Sequence, residues 1–226
     1  MPKITKKNLL LFWGWTRNNT SYKKLIENAP ENWNIYTLSF EDLMKAGWIN
    51  KLAENVTRFL DEKNLKRVNV AGHSMGGALA LEYTYQHPER VEQLFLLDAS
   101  GIYGQETILK LVFNFFKSHL LHGRKKGIEN LKAVHRALRR PIVHLKLAHY
   151  AHNVDLQKEA KNIRVPTTLI WGENDYLNPP WQGKKLHKLI KESKFIVLPG
   201  MDHDWPLHAP ELFWKNVKDA EDRFRE

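Results

Sequence analysis

The segment from Val70 to Gly77 contains a serine whose neighbours suit it to act as a nucleophile. Its sequence is VAGHSMGG, in which Ser74 has a glycine two residues before it and another two residues after it. A strand is predicted to end just before this serine, and a helix is predicted to begin just after it. A sharp strand-to-helix turn holds the serine hydroxyl clear of the backbone, and glycines leave room for that turn. The pattern therefore predicts a nucleophilic serine.

A serine nucleophile needs a base and a group that orients the base. His203 follows the predicted strand 194–198 in the loop PGMDHDWP, and Asp175 follows the predicted strand 166–171. Parallel α/β sheets place their functional residues at the carboxyl ends of the strands, so both side chains are expected near Ser74. We therefore predict Asp175 as the orienting acid and His203 as the base.

Three other residues are alternatives for these two roles. Glu173 is closer to the same strand than the predicted acid and is expected to point elsewhere. Asp98 ends the predicted strand 91–97, where an acid more often caps a helix or anchors a loop. His208 is the alternative base, at the start of the last predicted helix.

Attack by a serine on a carbonyl creates a negatively charged oxygen, which needs N–H donors aimed at it. The backbone N–H of Met75, directly after the serine, is the first predicted donor. The second is the backbone N–H of Trp15, because an apolar strand runs into Gly14 just before it. The aromatic side chains predicted to contact the substrate are Trp13, Phe113 and Phe116.

Strand and helix patterns alternate through most of the chain, which predicts an α/β fold with a parallel sheet flanked by helices. The alternation stops between residues 101 and 160, where all the patterns are helical. We predict a core domain formed by 1–100 and 161–226, with 101–160 inserted as a helical cap. A cap over the nucleophile excludes water and shapes the substrate pocket.

The predicted cap carries much of the positive charge of the protein. The 226-residue chain has a net charge of +10, and segment 101–160 holds 11 Lys and Arg residues against four Asp and Glu residues. A solvated basic face, a docking surface for an acidic partner and an anionic membrane surface all fit this charge. Nucleic acid is not expected, because no nucleic-acid-binding motif accompanies the charge. The candidate partner-binding residues are Arg124, Arg136, Arg139 and Arg140.

Composition excludes several other classes of protein. The chain contains no cysteine, so disulfides, thiolate metal sites and a cysteine nucleophile are excluded. No apolar run approaches the roughly 18 residues of a membrane-spanning helix. Neither a signal peptide nor a cofactor motif is evident. We expect a cytoplasmic protein that needs no metal ion and no organic cofactor.

These features together resemble the α/β-hydrolase superfamily over nearly the whole chain. The similarity rests on the motif at 72–76, on the later acid and histidine in that order, and on the two donor positions. It is greatest for carboxylesterases with a small helical cap, a branch that includes pimeloyl-acyl-carrier-protein methyl ester esterases, lipases, lactonases and C–C bond hydrolases. The resemblance implies about six mainly parallel strands, and Ser74, Asp175 and His203 as a catalytic triad.

The resemblance also implies an activity and its alternatives. The implied reaction is cleavage of a carboxylic ester through an acyl-enzyme. An acidic acyl carrier protein on the basic cap is the implied partner, with a role in biotin synthesis. A C–C bond hydrolase and a non-catalytic ligand-binding protein of the same fold remain alternatives.

The chain departs from the family pattern at three places. Trp13 stands where the family usually has a histidine, and Asp202 replaces a small residue before the predicted base. Only residues 1–8 precede the first central strand, so the usual antiparallel hairpin is expected to be missing. Lysines at positions 3, 6 and 7 are expected to blunt the edge of the sheet.

Overall fold

A computed structural model describes four long stretches of the chain, 6–15, 17–38, 51–102 and 153–223. It also describes residues 135, 138, 139, 141, 142, 146, 149 and 150. Together these residues form a six-stranded sheet with helices on both faces, which confirms the predicted fold class.

The six strands are all parallel and pair in the order β2-β1-β3-β4-β5-β6. Their bounds are β1 Lys7–Phe12, β2 Trp33–Leu38, β3 Val68–His73, β4 Val91–Leu97, β5 Thr167–Gly172 and β6 Ser193–Leu198. The chain therefore adds β2 on one side of β1 and all later strands on the other side. As a result, β1 and β3 lie side by side near the middle of the sheet. Strand β1 is not at an edge, so the expectation that its lysines blunt an edge is wrong.

Seven α-helices cover the sheet in the described part of the chain. Their bounds are α1 Lys23–Glu27, α2 Leu52–Glu62, α3 Met75–Gln86, α4 Gln157–Asn162, α5 Pro180–Leu189, α6 Trp205–His208 and α7 Pro210–Arg223. A 3₁₀ turn, Pro88–Arg90, connects α3 to β4. No helix among these residues is both long enough and apolar enough to span a membrane.

Two apolar clusters hold the helices to the two faces of the sheet. In β1, Leu10 and Phe12 join the cluster that contains the buried face of α3, whereas Leu9 and Leu11 join the cluster beneath α7. Successive residues of a strand point to opposite faces, so a strand covered on both sides must be apolar at almost every position. This explains why β1 ends in the continuous apolar run Leu9–Phe12 rather than in an alternating pattern.

Most of the predicted cap at 101–160 lies outside the described residues. Those residues between 135 and 153 that are described are helical, and α4 follows them. The chain leaves the sheet after β4 and returns at β5, so this segment is inserted between two neighbouring strands. The boundaries of the core domain and of the cap stay predictions.

Candidate active site

The backbone at Ser74 is strained in the way that an exposed serine turn requires. β3 ends at His73, α3 begins at Met75, and Ser74 between them has φ +56° and ψ −124°. Non-glycine residues rarely take a positive φ, and such strain persists only where the surroundings impose it. Ser74 is half-buried whereas both of its neighbours are buried, so its side chain stands out from the turn.

Hydrogen bonds and close packing impose this conformation. The N–H of Ser74 donates to the carbonyl of Leu97 at 2.9 Å, and its carbonyl accepts from Ser100 N–H at 2.9 Å. A Cβ on Gly72 would collide with the backbone of Gly76, and one on Gly76 would collide with the backbone of β1. The glycines of the motif are therefore required because the start of α3 lies directly against two strands.

The structure brings the predicted nucleophile, base and acid into one hydrogen-bonded chain. The Nε2 atom of His203 is 3.0 Å from the Ser74 hydroxyl, and its Nδ1 atom is 2.7 Å from Oδ2 of Asp175. A carboxylate can only accept, so Nδ1 carries the proton and Nε2 is left to accept from the serine. This tautomer is the one in which the imidazole can act as a base towards Ser74.

Asp175 is fixed by the loop that follows β5. Its Oδ1 atom accepts hydrogen bonds from the N–H groups of Leu177 at 2.7 Å and Asn178 at 2.9 Å. Two backbone donors hold one oxygen, so the other is free to face His203. The alternative acid Glu173 is exposed and accepts from the N–H of Gly200, away from the imidazole.

Asp175 is the main group that raises the pKa of His203. Burial by itself lowers the pKa of this imidazole, but the charge and hydrogen bond of Asp175 outweigh burial and raise the pKa above its ordinary value. Asp204 raises it further and Arg17 lowers it. Arg17 and Asp204 also pair with each other at 3.0 Å, tying the loop after β1 to the loop of the base.

Asp202, the residue that departs from the family pattern, faces away from the base. Its Oδ1 atom accepts from the N–H of Asp204 at 2.9 Å and lies 3.1 Å from Nε2 of His208. The carboxylate of Asp202 is therefore paired with His208. The same pairing holds the alternative base His208 apart from Ser74.

A second buried histidine, not singled out from the sequence, links three loops of the site. The Nε2 atom of His73 is 2.8 Å from the carbonyl of His203, so Nε2 donates and Nδ1 must accept. The Tyr22 hydroxyl donates to that Nδ1 at 2.6 Å and accepts from the N–H of Gly14 at 2.9 Å. Tyr22 and His73 thus connect the loop after β1, the serine turn and the loop of the base.

Burial keeps both members of this link uncharged. Desolvation, helped by the positive charge that His203 can carry, lowers the pKa of His73 to about 3. Desolvation also raises the pKa of Tyr22. The ring centroids of His73 and His203 are 4.9 Å apart. Since the pKa of His73 is lowered, His203 is the imidazole of this pair that takes up a proton. The position of His73 inside the motif was the one sequence signal for this role.

The two predicted oxyanion donors come from two different segments, the start of α3 and the loop after β1. Met75 is the first residue of α3, where a backbone N–H has no acceptor within its own helix and the helix dipole favours negative charge. Trp15 follows Gly14, whose own N–H is occupied by Tyr22. The loop then turns back through a hydrogen bond from Arg17 N–H to the Gly14 carbonyl at 3.1 Å. Both assignments stay predictions.

The structure describes only some of the residues predicted to contact the substrate or a partner. The Trp13 indole is 5% exposed and belongs to the core cluster beneath α7, so its side chain packs in the interior. Arg139 is described and exposed. The other predicted contacts lie outside the described residues: Phe113, Phe116, Arg124, Arg136 and Arg140.

Asp98, the second alternative acid, lies beside the triad and is fully buried. Its Oδ1 atom accepts from the N–H of Gly172 at 2.9 Å, and its Oδ2 atom accepts from the indole N–H of Trp205. One atom each from Asp98, Asp175 and His203 lie within 4.8 Å of one another, as metal ligands would. These atoms already hold hydrogen bonds to protein groups, so the cluster suits a hydrogen-bond network.

We expect Tyr22→Phe to weaken the site without removing any member of the triad. The change leaves the N–H of Gly14 and the Nδ1 atom of His73 without their buried partner, which costs about 1–3 kcal/mol of stability. The loop after β1 is then less well fixed, so kcat should fall more than KM rises. Urea denaturation and steady-state kinetics measure the two effects. Tyr85→Phe, at an exposed tyrosine of α3, is the control, and equal behaviour of the two variants would contradict this role.

Comparison with known proteins agrees with this geometry. The family model described as alpha/beta hydrolase fold matches residues 48–138. The chain is 25% identical to the uncharacterized hydrolase YugF of Bacillus subtilis, over 95% of this chain and 89% of that protein. It is also 25% identical to a pimeloyl-[acyl-carrier protein] methyl ester esterase of Neisseria meningitidis, over 94% of this chain and 92% of that protein.

The similarity extends to solved structures. The crystal structure of a membrane phospholipase A, described as a bacterial virulence factor, superimposes with a TM-score of 0.79. The sequences are 20% identical, and the match covers 98% of this chain and 80% of that one. At this identity the likeness concerns the fold. Sheet order, serine turn and sequence relatives agree, and the protein is a hydrolase with the α/β-hydrolase fold.

Proposed function

We propose that this hydrolase cleaves carboxylic esters through an acyl-enzyme formed on Ser74. The observation that carries the proposal is the alignment of Ser74, His203 and Asp175 by hydrogen bonds of 3.0 and 2.7 Å. A serine hydroxyl is a weak nucleophile unless a base removes its proton as it attacks. Here the base has the required tautomer and an elevated pKa.

The proposed reaction has two steps. In the first, His203 takes the proton of Ser74 as its oxygen bonds to the ester carbonyl carbon, and then gives that proton to the departing alcohol. In the second, the same imidazole takes a proton from water, which attacks the acyl-enzyme and releases the acid. Asp175 stabilises the imidazolium in both steps and keeps its own charge.

The oxyanion formed in each step needs stabilisation by fixed donors. The N–H of Met75 lies at the positive end of α3, which suits it to bind a developing negative charge. The N–H of Trp15 is the proposed second donor, on the loop that Tyr22 fixes through Gly14. No metal ion or organic cofactor is needed for this chemistry.

The finer proposal concerns the substrate. The similarity to a pimeloyl-[acyl-carrier protein] methyl ester esterase over most of both chains supports an acyl ester, and an acidic carrier protein would be attracted to the basic segment 101–160. Arg139 is an exposed cation of this segment. We propose this segment as the docking surface for the carrier and the cytoplasm as the location of the reaction.

Ester hydrolysis tests the chemical proposal directly. We expect the wild-type protein to hydrolyse a series of p-nitrophenyl esters from acetate to decanoate, and Ser74→Ala to lose kcat by a factor on the order of 10⁴ or more. The preferred chain length measures the depth of the acyl pocket. Ser193→Ala, which changes a serine at the start of β6 and therefore at the edge of the sheet opposite Ser74, is the matched control.

Two outcomes would contradict ester hydrolysis. If a vinylogous diketone is cleaved much faster than any ester, the protein is a C–C bond hydrolase with the same triad. If it binds a ligand tightly and turns over neither substrate, it is a binding protein of this fold. Equal activities of Ser74→Ala and wild type would exclude the serine as nucleophile.

The pH dependence of hydrolysis reports on His203. The imidazole must be neutral to act as a base, and its pKa is raised, so kcat/KM should fall as the pH drops through a value above the ordinary 6.5. Asp175→Asn removes the charge that raises this pKa, so the acid limb should move to lower pH while kcat falls by about 10⁴. Asp219→Asn, at an exposed residue of α7, is the control. An acid limb that stays in place in Asp175→Asn would contradict the coupling.

Carrier docking is tested by reversing one charge of the proposed surface. Arg139→Glu should raise KM for an ester attached to an acidic acyl carrier protein relative to KM for the matching p-nitrophenyl ester. The effect should shrink at high salt, because exposed charges are screened there. Lys218→Glu, on α7 and on the other face of the sheet, is the charge-matched control. If both variants change the ratio of these two KM values equally, segment 101–160 is not the docking surface.

A further inference from the structure

We propose that Asp98 is a neutral carboxylic acid that donates its proton in a hydrogen bond to Asp175 and so positions the Asp175–His203 pair. This role deepens the proposed ester hydrolysis and rests on it. Asp98 would not touch the substrate, and it would act only through the orienting acid.

The first observation is that two carboxyl groups share one buried site. Asp98 is 0% exposed and Asp175 is 2% exposed. Oxygens of the two side chains lie within 4.8 Å of one another and of a His203 ring nitrogen. Two carboxylates have no hydrogen to share, so only a protonated carboxyl can donate a hydrogen bond to the other. Like charges this close in a buried site also resist joint ionisation.

The partners of each carboxyl decide which one holds the proton. Asp175 accepts from the N–H groups of Leu177 and Asn178 and from the imidazole of His203, and it faces the positive charge that forms there. Asp98 accepts only two neutral donors among the described residues, Gly172 and Trp205. Burial and the neighbouring Asp175 both raise the pKa of Asp98 well above its usual range.

The place of Asp98 in the fold explains how it can position the pair. It ends β4 with a φ of +43° and bonds to Gly172, the last residue of β5 and three residues before Asp175. It also bonds to Trp205, two residues after His203. One side chain therefore fixes the distance between the strand that carries the acid and the loop that carries the base.

The neutral form also matters for the base. Besides Asp98, four charged or titratable groups face His203 in the described residues, namely Asp175, Asp204, Arg17 and His73. Arg17 and Asp204 oppose each other, and His73 is neutral, so Asp175 sets the balance. An ionised Asp98 would add a second negative charge within 4.8 Å of a ring nitrogen and would hold the imidazole protonated to higher pH.

Infrared spectroscopy tests the protonation without any substrate. At pH 8 ordinary carboxyl groups are ionised, so a carboxylic-acid C=O band must come from a group of strongly raised pKa. We expect the wild-type protein to show this band, Asp98→Asn to lose it, and the exposed control Asp219→Asn to keep it. Absence of the band in the wild-type protein would overturn the proposal.

Kinetics separate a positioning role from a purely structural one. Asp98→Asn keeps an N–H that can donate to Asp175, so it should leave the acid limb of kcat/KM in place with kcat lowered severalfold, because Trp205 loses its acceptor. Asp98→Ala removes the donor and should lower kcat on the order of 10- to 100-fold with little change in KM. If Asp98→Ala does not fold, the infrared C=O band and the pH profile of Asp98→Asn still test the proposal.

Two kinetic outcomes would overturn the proposal. An acid limb that moves to lower pH in Asp98→Asn means that a negative charge was removed from beside His203, so Asp98 is ionised. A wild-type kcat in folded Asp98→Ala means that it positions nothing. A missing band in a protein that hydrolyses esters refutes this inference alone, whereas a band in a protein without ester turnover refutes the ester assignment alone.

Discussion

The strained backbone of Ser74 is the constraint on which the rest of the site depends. Its positive φ points the hydroxyl away from the sheet and forces the first turn of α3 against β1, where only glycine fits at position 76. Backbone bonds to Leu97 and Ser100 then make the end of β4 part of the same turn. A strained residue persists only when its surroundings over-determine it, so the packing of the central strands and the exposure of the nucleophile are one feature.

Around this turn, some groups are neutral because they are buried and have a structural role, whereas other groups carry charge. His73 and Tyr22 are made neutral by desolvation, and together they join three loops through hydrogen bonds whose donors and acceptors are unambiguous. Arg17 and Asp204 remain charged but oppose each other at the edge of the site. The proton balance of His203 is consequently governed by Asp175 and its immediate partners, which is the condition for one imidazole to shuttle protons alone.

The fold and the three residues of the hydrogen-bonded chain could be predicted from the sequence because their signals are local. Apolar runs mark buried strands, a glycine-flanked serine marks the turn, and an acid or histidine just past a strand end must lie at one edge of a parallel sheet. Tyr22 could not be found this way, since a tyrosine just before a short helix has no pattern that distinguishes it from a core residue. The sequence favours Asp98 as a helix cap or loop anchor, because its closeness to Asp175 depends on the neighbouring order of β4 and β5, which spacing alone does not supply.

The same topology places the hydrogen-bond network at one edge of the sheet and the long insertion between two of its strands. Every group of the hydrogen-bond network comes from a loop that leaves a strand of the rigid sheet, whereas segment 101–160 is inserted between β4 and β5 as a single excursion. None of the bonds that fix the side chains of Ser74, His203 and Asp175 comes from a described residue of the insertion. If the insertion forms the proposed substrate pocket, its sequence can vary while the sheet and its loops hold the reaction constant, which is how one fold carries many related activities.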